Sequence, residues 1–257
     1  MISHSFAGKV ALVTGVSRKA GIGAAIARAF AQAGINVFIT YYRPYDELMP
    51  WGSNSREAED IVKEPKAKGV RAEGMEADLS DPGTPARLFG HVHGSFGFVD
   101  ILINNAVYDM EAGVYSLSAS LIDMHYAVNV RAVMLLCAEF AKRHDGRFGG
   151  RIVNLSSGQG AEPMPDNLPY AATKGAIEAF TLSVSAALAG KGITVNAIDP
   201  GPTDSGWLSD DLRSELLERA PFGRIGTPDD AAKLVLYLAS SEAQWLTGQI
   251  IRSRGGL

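Results

Sequence analysis

A single cysteine, Cys137, stands among the 257 residues, so no internal disulfide framework can form. Its setting, "VMLLCAEFAK", suits a buried small hydrophobe better than a nucleophile or a metal ligand. An excess of basic charge is also missing. Lys and Arg number 24 against 28 Asp and Glu, for a net charge of −4. Nucleic-acid binding needs a cationic face to displace counterions from phosphates, so no such partner is expected. Long apolar runs are lacking too: no segment approaches eighteen uninterrupted apolar residues, and "MISHSFAGKVALVTG" has no basic stretch leading into a long apolar one. A cytoplasmic protein without a membrane partner is expected. Histidine is sparse, and the one close pair, His91 and His93, has no third ligand in view, so no metal site is expected.

What is present is an ordinary globular composition, 46% hydrophobic and 20% charged, with enough apolar surface to bury a large core. Short apolar, β-branched runs recur at 9–14, 36–42, 70–76, 100–104, 151–156, 193–199 and 248–253. Helical periods lie between most of them, at 22–33, 54–68, 84–95, 118–144, 170–190 and 228–240. This alternation predicts a seven-stranded parallel sheet buried on both faces by right-handed crossovers, in one domain spanning 1–257. Two connections are long for the pattern, 43–54 and 200–221, and the second carries the helical segment "SDDLRSELLERA".

The first strand runs into "TGVSRKAGIG", which places Gly15, Gly21 and Gly23 in the turn before the first helix, with Ser17, Arg18 and Ile22 among them. Glycines there let the backbone approach a pyrophosphate, whose charge the N–H groups and dipole of the helix stabilise. A sheet that binds NAD usually carries an acid at the end of its second strand for the ribose 2′-OH. Here that place reads Thr40, Tyr41, Tyr42, Arg43, and the turn adds Arg18 and Lys19. Cations without a carboxylate suit a 2′-phosphate, so NADPH is expected over NADH.

Of the eight tyrosines, only Tyr170 has a lysine four residues on, Lys174, and that spacing puts both on one helix face. A free tyrosine titrates near 10 and needs a nearby cation to serve as acid or base at neutral pH. Ser157 stands thirteen residues before Tyr170, just past a strand, where the two hydroxyls can converge on a carbonyl oxygen and stabilise the alkoxide left by hydride addition. Ser156 is its neighbour, and the spacing favours Ser157.

Taken together, "TGVSRKAGIG", "NNA" at 104–106, Asn129, "SS" at 156–157, "YAATK" and "PGPTDS" at 200–205 resemble the short-chain dehydrogenase/reductase family, single-domain subclass, over the whole chain. "GRIGTPDDAA" and "WLTGQIIRSRGG" resemble the C-terminal region of bacterial 3-oxoacyl-carrier-protein reductases. The resemblance implies a Rossmann-type three-layer sandwich, a carbonyl or secondary alcohol substrate, and a tetramer, or at least a dimer, built through the helices at 118–144 and 170–190. By it, Tyr170 would be the proton donor, Lys174 would hold the nicotinamide ribose and Ser157 would orient the substrate. Asn129 would hold a water linking the lysine to solvent. Asp78 and Leu79 would lie beside the adenine, Asn105 and Ala106 along the adenosine, and Pro200, Gly201 and Thr203, with Ser205 as a second candidate hydroxyl, against the carboxamide.

Three features depart from the family's pattern. Five residues separate Gly15 from Gly21 where three are usual, Val107 follows "NNA" in place of glycine, and the 43–54 connection is long. A 3-oxoacyl thioester is the first substrate suggested, and a sugar, steroid-like or xenobiotic ketone the next. A catalytically silent NADP(H)-binding sensor is the reading from another class. An epimerase or dehydratase with the same pair would need a larger C-terminal substrate domain, for which the chain has no length.

Overall fold

The structure, a computed structural model, describes residues 6–54, 56–147 and 149–257. Ser55, inside the helix predicted over 54–68, lies outside them, as do the first five residues of the N-terminal segment read above. All seven predicted strands form: β1 (Val10–Val13), β2 (Asn36–Tyr41), β3 (Ala72–Glu76), β4 (Ile101–Asn104), β5 (Gly150–Leu155), β6 (Ile193–Asp199) and β7 (Ile250–Arg252). They pair in parallel in the order β3-β2-β1-β4-β5-β6-β7, so the direction of winding reverses between β1 and β4. Ligands bind at such a reversal, beyond the carboxyl ends of the strands.

Helices cover both faces, which is why the central strands read as unbroken apolar runs. On one face, α1 (Ile22–Gln32), α3 (Glu57–Lys66) and α9 (Pro228–Ala239) enclose Phe30, Ile35, Ile61, Val235 and Leu238. On the other, α4 (Thr84–Phe96), α6 (Val133–Arg143) and α7 (Leu168–Ala189) enclose Phe38, Leu88, Phe89, Leu136 and Phe140. Each such side chain contributes roughly 1.5–3 kcal/mol when fully buried. Cys137 belongs to this second core, where burial pushes its thiol up to about 12, so it is a packing residue.

The helix predicted at 118–144 is α5 (Ala119–Tyr126) continuing through a π-helical turn, Ala127–Ala132, into α6. By length and composition this 25-residue stretch could cross a membrane, yet Ala132, Val133, Leu136, Cys137 and Phe140 lie against the sheet, as in a core helix. The long connection at 43–54 holds a short helix, α2 (Arg43–Leu48), with Pro44 in its first turn. That at 200–221 holds α8 (Asp210–Arg219), started by Ser209, whose Oγ accepts the Leu212 N–H.

Candidate active site

The turn after β1 brings its glycines against the tip of β4. Gly15 has φ +72°, and a Cβ there would stand 2.5 Å from the Ala106 Cα, so no side chain fits. Thr14 Oγ1 accepts the N–H groups of Asn105 and Ala106 at 3.1 Å each, and the Asn105 amide donates to the carbonyls of Thr14 and Gly15 at 2.9 Å. "NNA" thus buttresses the turn. Helix α1 begins at Gly21 with no side-chain cap and no acid in its first turn. Its N–H groups are left for an anion, which fits the pyrophosphate of a dinucleotide.

On the adenosine side, Ser17, Arg18, Tyr41, Arg43, Asp46 and Glu57 border a shallow recess. The cations expected there do not stand free. Arg43 is held by both carboxylate oxygens of Glu76 at the end of β3, and the pair keeps that carboxyl below its usual range. Lys19 turns away to α3, its N–H bonded to Glu57 and its ammonium to Asp60 at 2.9 Å. Arg18 also borders the recess, its guanidinium 4.0 Å over the Trp51 ring, while the Trp51 indole donates to Asp46 at 3.2 Å. Arg18 Nη1 also lies 3.9 Å from where a Cβ on Gly206 would stand, so the 200–221 segment reaches across to the glycine turn. Asp78 accepts from the Tyr42 hydroxyl and the Ser80 N–H, and Leu79 is buried in the core.

At the chemical end, Ser157 follows β5 in extended conformation and Tyr170 lies in the first turn of α7. The Ser157 hydroxyl is near enough to the phenol to act on its titration. Burial pushes the phenol above its ordinary value; the Ser157 hydroxyl opposes this, and Asp109 and Asp199 add to it. Lys174 Nζ sits 5.4 Å from the Tyr170 ring centroid and donates to the Leu155 carbonyl at 2.7 Å. Burial lowers this lysine to about 8, with Asp109 opposing, so at pH 7 both groups carry their protons. The neighbour Ser156 points elsewhere, donating to Glu178 Oε1 at 2.7 Å, which separates the two adjacent serines.

Asn129 lies in the π-helical turn, a common setting for functional side chains. Its amide donates to the Tyr108 carbonyl and to Thr173 Oγ1, and its Oδ1 accepts the Tyr108 N–H at 2.8 Å. Thr173 in turn donates to the Tyr170 carbonyl, so Asn129 ties the loop after β4 to α7. Pro200, Gly201 and Thr203 follow β6, where Thr203 is buried and its carbonyl accepts the Trp207 indole N–H at 2.8 Å. Ser205 lies in the same turn, its N–H donating to the Thr203 carbonyl at 3.0 Å.

Several residues of the site carried no sequence signal. Asp109 accepts from Asn167 at 2.6 Å and is joined through its backbone to the Tyr45 hydroxyl of α2, so the 43–54 insertion touches the loop after β4. The two histidines face aromatic rings, His91 against Phe38 and His93 against Phe98. Among the described residues no group of three or more His, Cys, Asp or Glu side chains could hold a metal.

Residues 15–257 match the family described as Enoyl-(Acyl carrier protein) reductase. The uncharacterized oxidoreductase YjdA of Bacillus subtilis (strain 168) is 48% identical over 257 residues, covering 99% of this chain and 98% of its own. The 3-oxoacyl-[acyl-carrier-protein] reductase FabG of Staphylococcus aureus (strain Mu50) is 35% identical, covering 97% and 98%. Among solved structures, the angucycline C-6 ketoreductase LanV with bound NADP superposes with a TM-score of 0.87 at 32% identity, covering 98% of this chain and 96% of that one. With the reversal point, the uncapped α1 and Lys174 set against Tyr170, these likenesses establish that the chain belongs to the short-chain dehydrogenase/reductase family.

Proposed function

We propose that the chain is a carbonyl reductase using NADPH, in which Tyr170 gives a proton to the substrate oxygen as hydride reaches the carbonyl carbon. The closeness of the Ser157 and Tyr170 hydroxyls, with Lys174 Nζ 5.4 Å from the Tyr170 ring centroid, carries this reading, because it sets two hydroxyl donors beside one cation. Bound NADPH supplies the hydride. Gly15, Ser17, Gly21, Ile22 and Gly23 receive its pyrophosphate, and Asp78, Leu79, Asn105 and Ala106 line its adenosine. Pro200, Gly201 and Thr203 face its carboxamide. Lys174 holds the nicotinamide ribose hydroxyls, and its charge favours proton release from the phenol. Asn129 keeps the loop after β4 and α7 in register, so the water linking Lys174 to solvent has a place.

Arg18 takes the 2′-phosphate, with Arg43 beside it sharing its charge with Glu76. Arg18→Ala is expected to raise the KM for NADPH about tenfold or more with little change for NADH, the worth of a charge-assisted hydrogen bond. Steady-state kinetics with both cofactors checks this; an unchanged ratio removes Arg18 from the assignment.

The substrate is a 3-oxoacyl thioester, as the likeness to FabG supports, bordered by the segment 200–221 and the loop 108–116 within one domain spanning 1–257. Trp207 is half exposed at the mouth of that segment. Comparing acetoacetyl-coenzyme A with simple and polycyclic aromatic ketones tests it: kcat/KM is expected to be highest for the thioester. Faster turnover of a polycyclic ketone moves the enzyme toward the chemistry named for LanV. The protein works in the cytoplasm as a homotetramer packed through α5, α6 and α7, whose Tyr126, Met134 and Leu182 present apolar surface outward. A 27 kDa particle in light scattering excludes that assembly.

A further inference from the structure

Three parallel strands end side by side beneath the catalytic serine. Leu155 of β5 pairs with Ile198 of β6, and Asp199 pairs with Arg252 of β7, so Asp199 and Arg254 emerge beside the segment that carries Ser157. Asp199 is 1% exposed and the Arg254 side chain 9%. Arg254 Nη1 faces Asp199 Oδ2 at 3.7 Å, too long for a hydrogen bond, and Arg254 Nε, Arg254 Nη1 and Asp199 Oδ2 have no hydrogen-bond partner. Asp199 Oδ1 accepts the Gly201 N–H at 2.9 Å.

The guanidinium is wedged under the turn that follows Ser157. A Cβ on Gly158 would stand 3.0 Å from Arg254 Nη1 and 3.2 Å from Nη2, so glycine is what leaves it room. The stem of Arg254 lies equally close to Gly201, at the start of the segment that faces the cofactor. A buried pair with unmet donors is costly to the fold, and removing one partner leaves an uncompensated charge in a poorly screened place. Such a charge reaches its neighbours strongly.

We propose that Arg254 and Asp199 form a positioning pair for the catalytic hydroxyls: Arg254 props the Gly158 turn that carries Ser157 toward Tyr170, and cancels the charge of Asp199 at the neighbouring strand end. The pair rests on Tyr170 being the proton-transfer group. Five groups act on that phenol from the elements around it. Ser157 comes from the end of β5, Asp109 from the loop after β4 and Asp199 from β6. Lys174 lies one turn along α7, and Arg254, after β7, acts through Asp199 and Gly158. Asp109 and Asp199 favour the protonated phenol, and Arg254 offsets the second of them.

The pH profile of alcohol oxidation tests the pair, because that direction needs the phenolate and its rate climbs as Tyr170 loses its proton. The probe is 3-hydroxybutyryl-coenzyme A or 2-butanol, whichever the wild type oxidises, at saturating NADP+. Arg254→Met leaves Asp199 uncompensated, so the rising limb is expected to move up by on the order of half a pH unit, with kcat about tenfold lower. Asp199→Asn keeps the acceptor for the Gly201 N–H and removes the charge, so the limb is expected to move down. The double variant returns it toward the wild-type position.

Unmoved limbs, or shifts of the same sign in both single variants, overturn the proposal and leave a structural contact only. Should Arg254→Met not fold, Asp199→Asn decides alone, and a limb that stays or rises overturns the pair. An inactive Tyr170→Phe with unmoved limbs sinks the pair and spares the reductase reading, whereas an active Tyr170→Phe sinks both.

Discussion

Replacing Tyr170 by Phe is expected to lower kcat for carbonyl reduction by about three orders of magnitude, while the Kd for NADPH stays within about threefold. The phenol is half-buried and desolvation holds it in its protonated form, so at neutral pH it can give a proton to an oxygen gaining negative charge. Phenylalanine fills the same space and keeps the packing of the first turn of α7, and only the transferable proton and one donor are lost. Ser157 would still reach the oxygen but would lack its partner. Because the interaction is made chiefly as charge develops on that oxygen, the loss belongs in kcat and kcat/KM together, not in KM. Stopped-flow reduction and a fluorescence titration with NADPH separate the two constants. Full turnover in the variant would exclude Tyr170 as the acid.

Gly15→Val is expected to destabilise the protein by about 3 to 5 kcal/mol and to abolish measurable cofactor binding. Two effects add at this position. A β-branched residue is forced to a positive φ, and its Cβ would enter the van der Waals radius of the Ala106 Cα, which is backbone and cannot swing aside. Relief requires the tips of β1 and β4 to part, which breaks the bonds from Asn105 and Ala106 to Thr14 and moves the start of α1. For a chain of this length the melting temperature should fall by roughly 10 °C. A variant that melts within about 2 °C of wild type and still binds NADPH would show that the turn is free to rearrange.

Much of the architecture could be read before any coordinates. The strands showed themselves as short unbroken apolar runs and the crossover helices through a 3.6-residue period, both local properties of a chain whose sheet is buried on both faces. The connection at 43–54 looked like an open loop because "RPYDEL" is too short for a helical period to stand out, yet its Pro44 sits where a first helical turn tolerates it. The break at Asn129 was legible only as a polar residue inside an apolar helix. Its π-helical geometry depends on the Tyr108 backbone and Thr173, 21 and 44 residues away.

By itself the sequence determined the order of elements, the glycine turn, the Tyr170–Lys174 spacing and the choice of Ser157 over Ser156. Each of these is encoded within a few turns of backbone, or in the short reach from a strand end to the next helix. Only the tertiary structure decided which charges stand free. Glu76 reaches Arg43 because β2 and β3 are hydrogen-bonded neighbours, and Arg18 finds Trp51 because the insertion folds back over the first turn. Arg254 meets Asp199 because β6 and β7 lie side by side in register. Pairing between strands joins residues far apart in sequence, and no local pattern announces the partner. The electrostatic setting of Tyr170 is therefore a property of the sheet, even though the tyrosine itself was plain in the sequence.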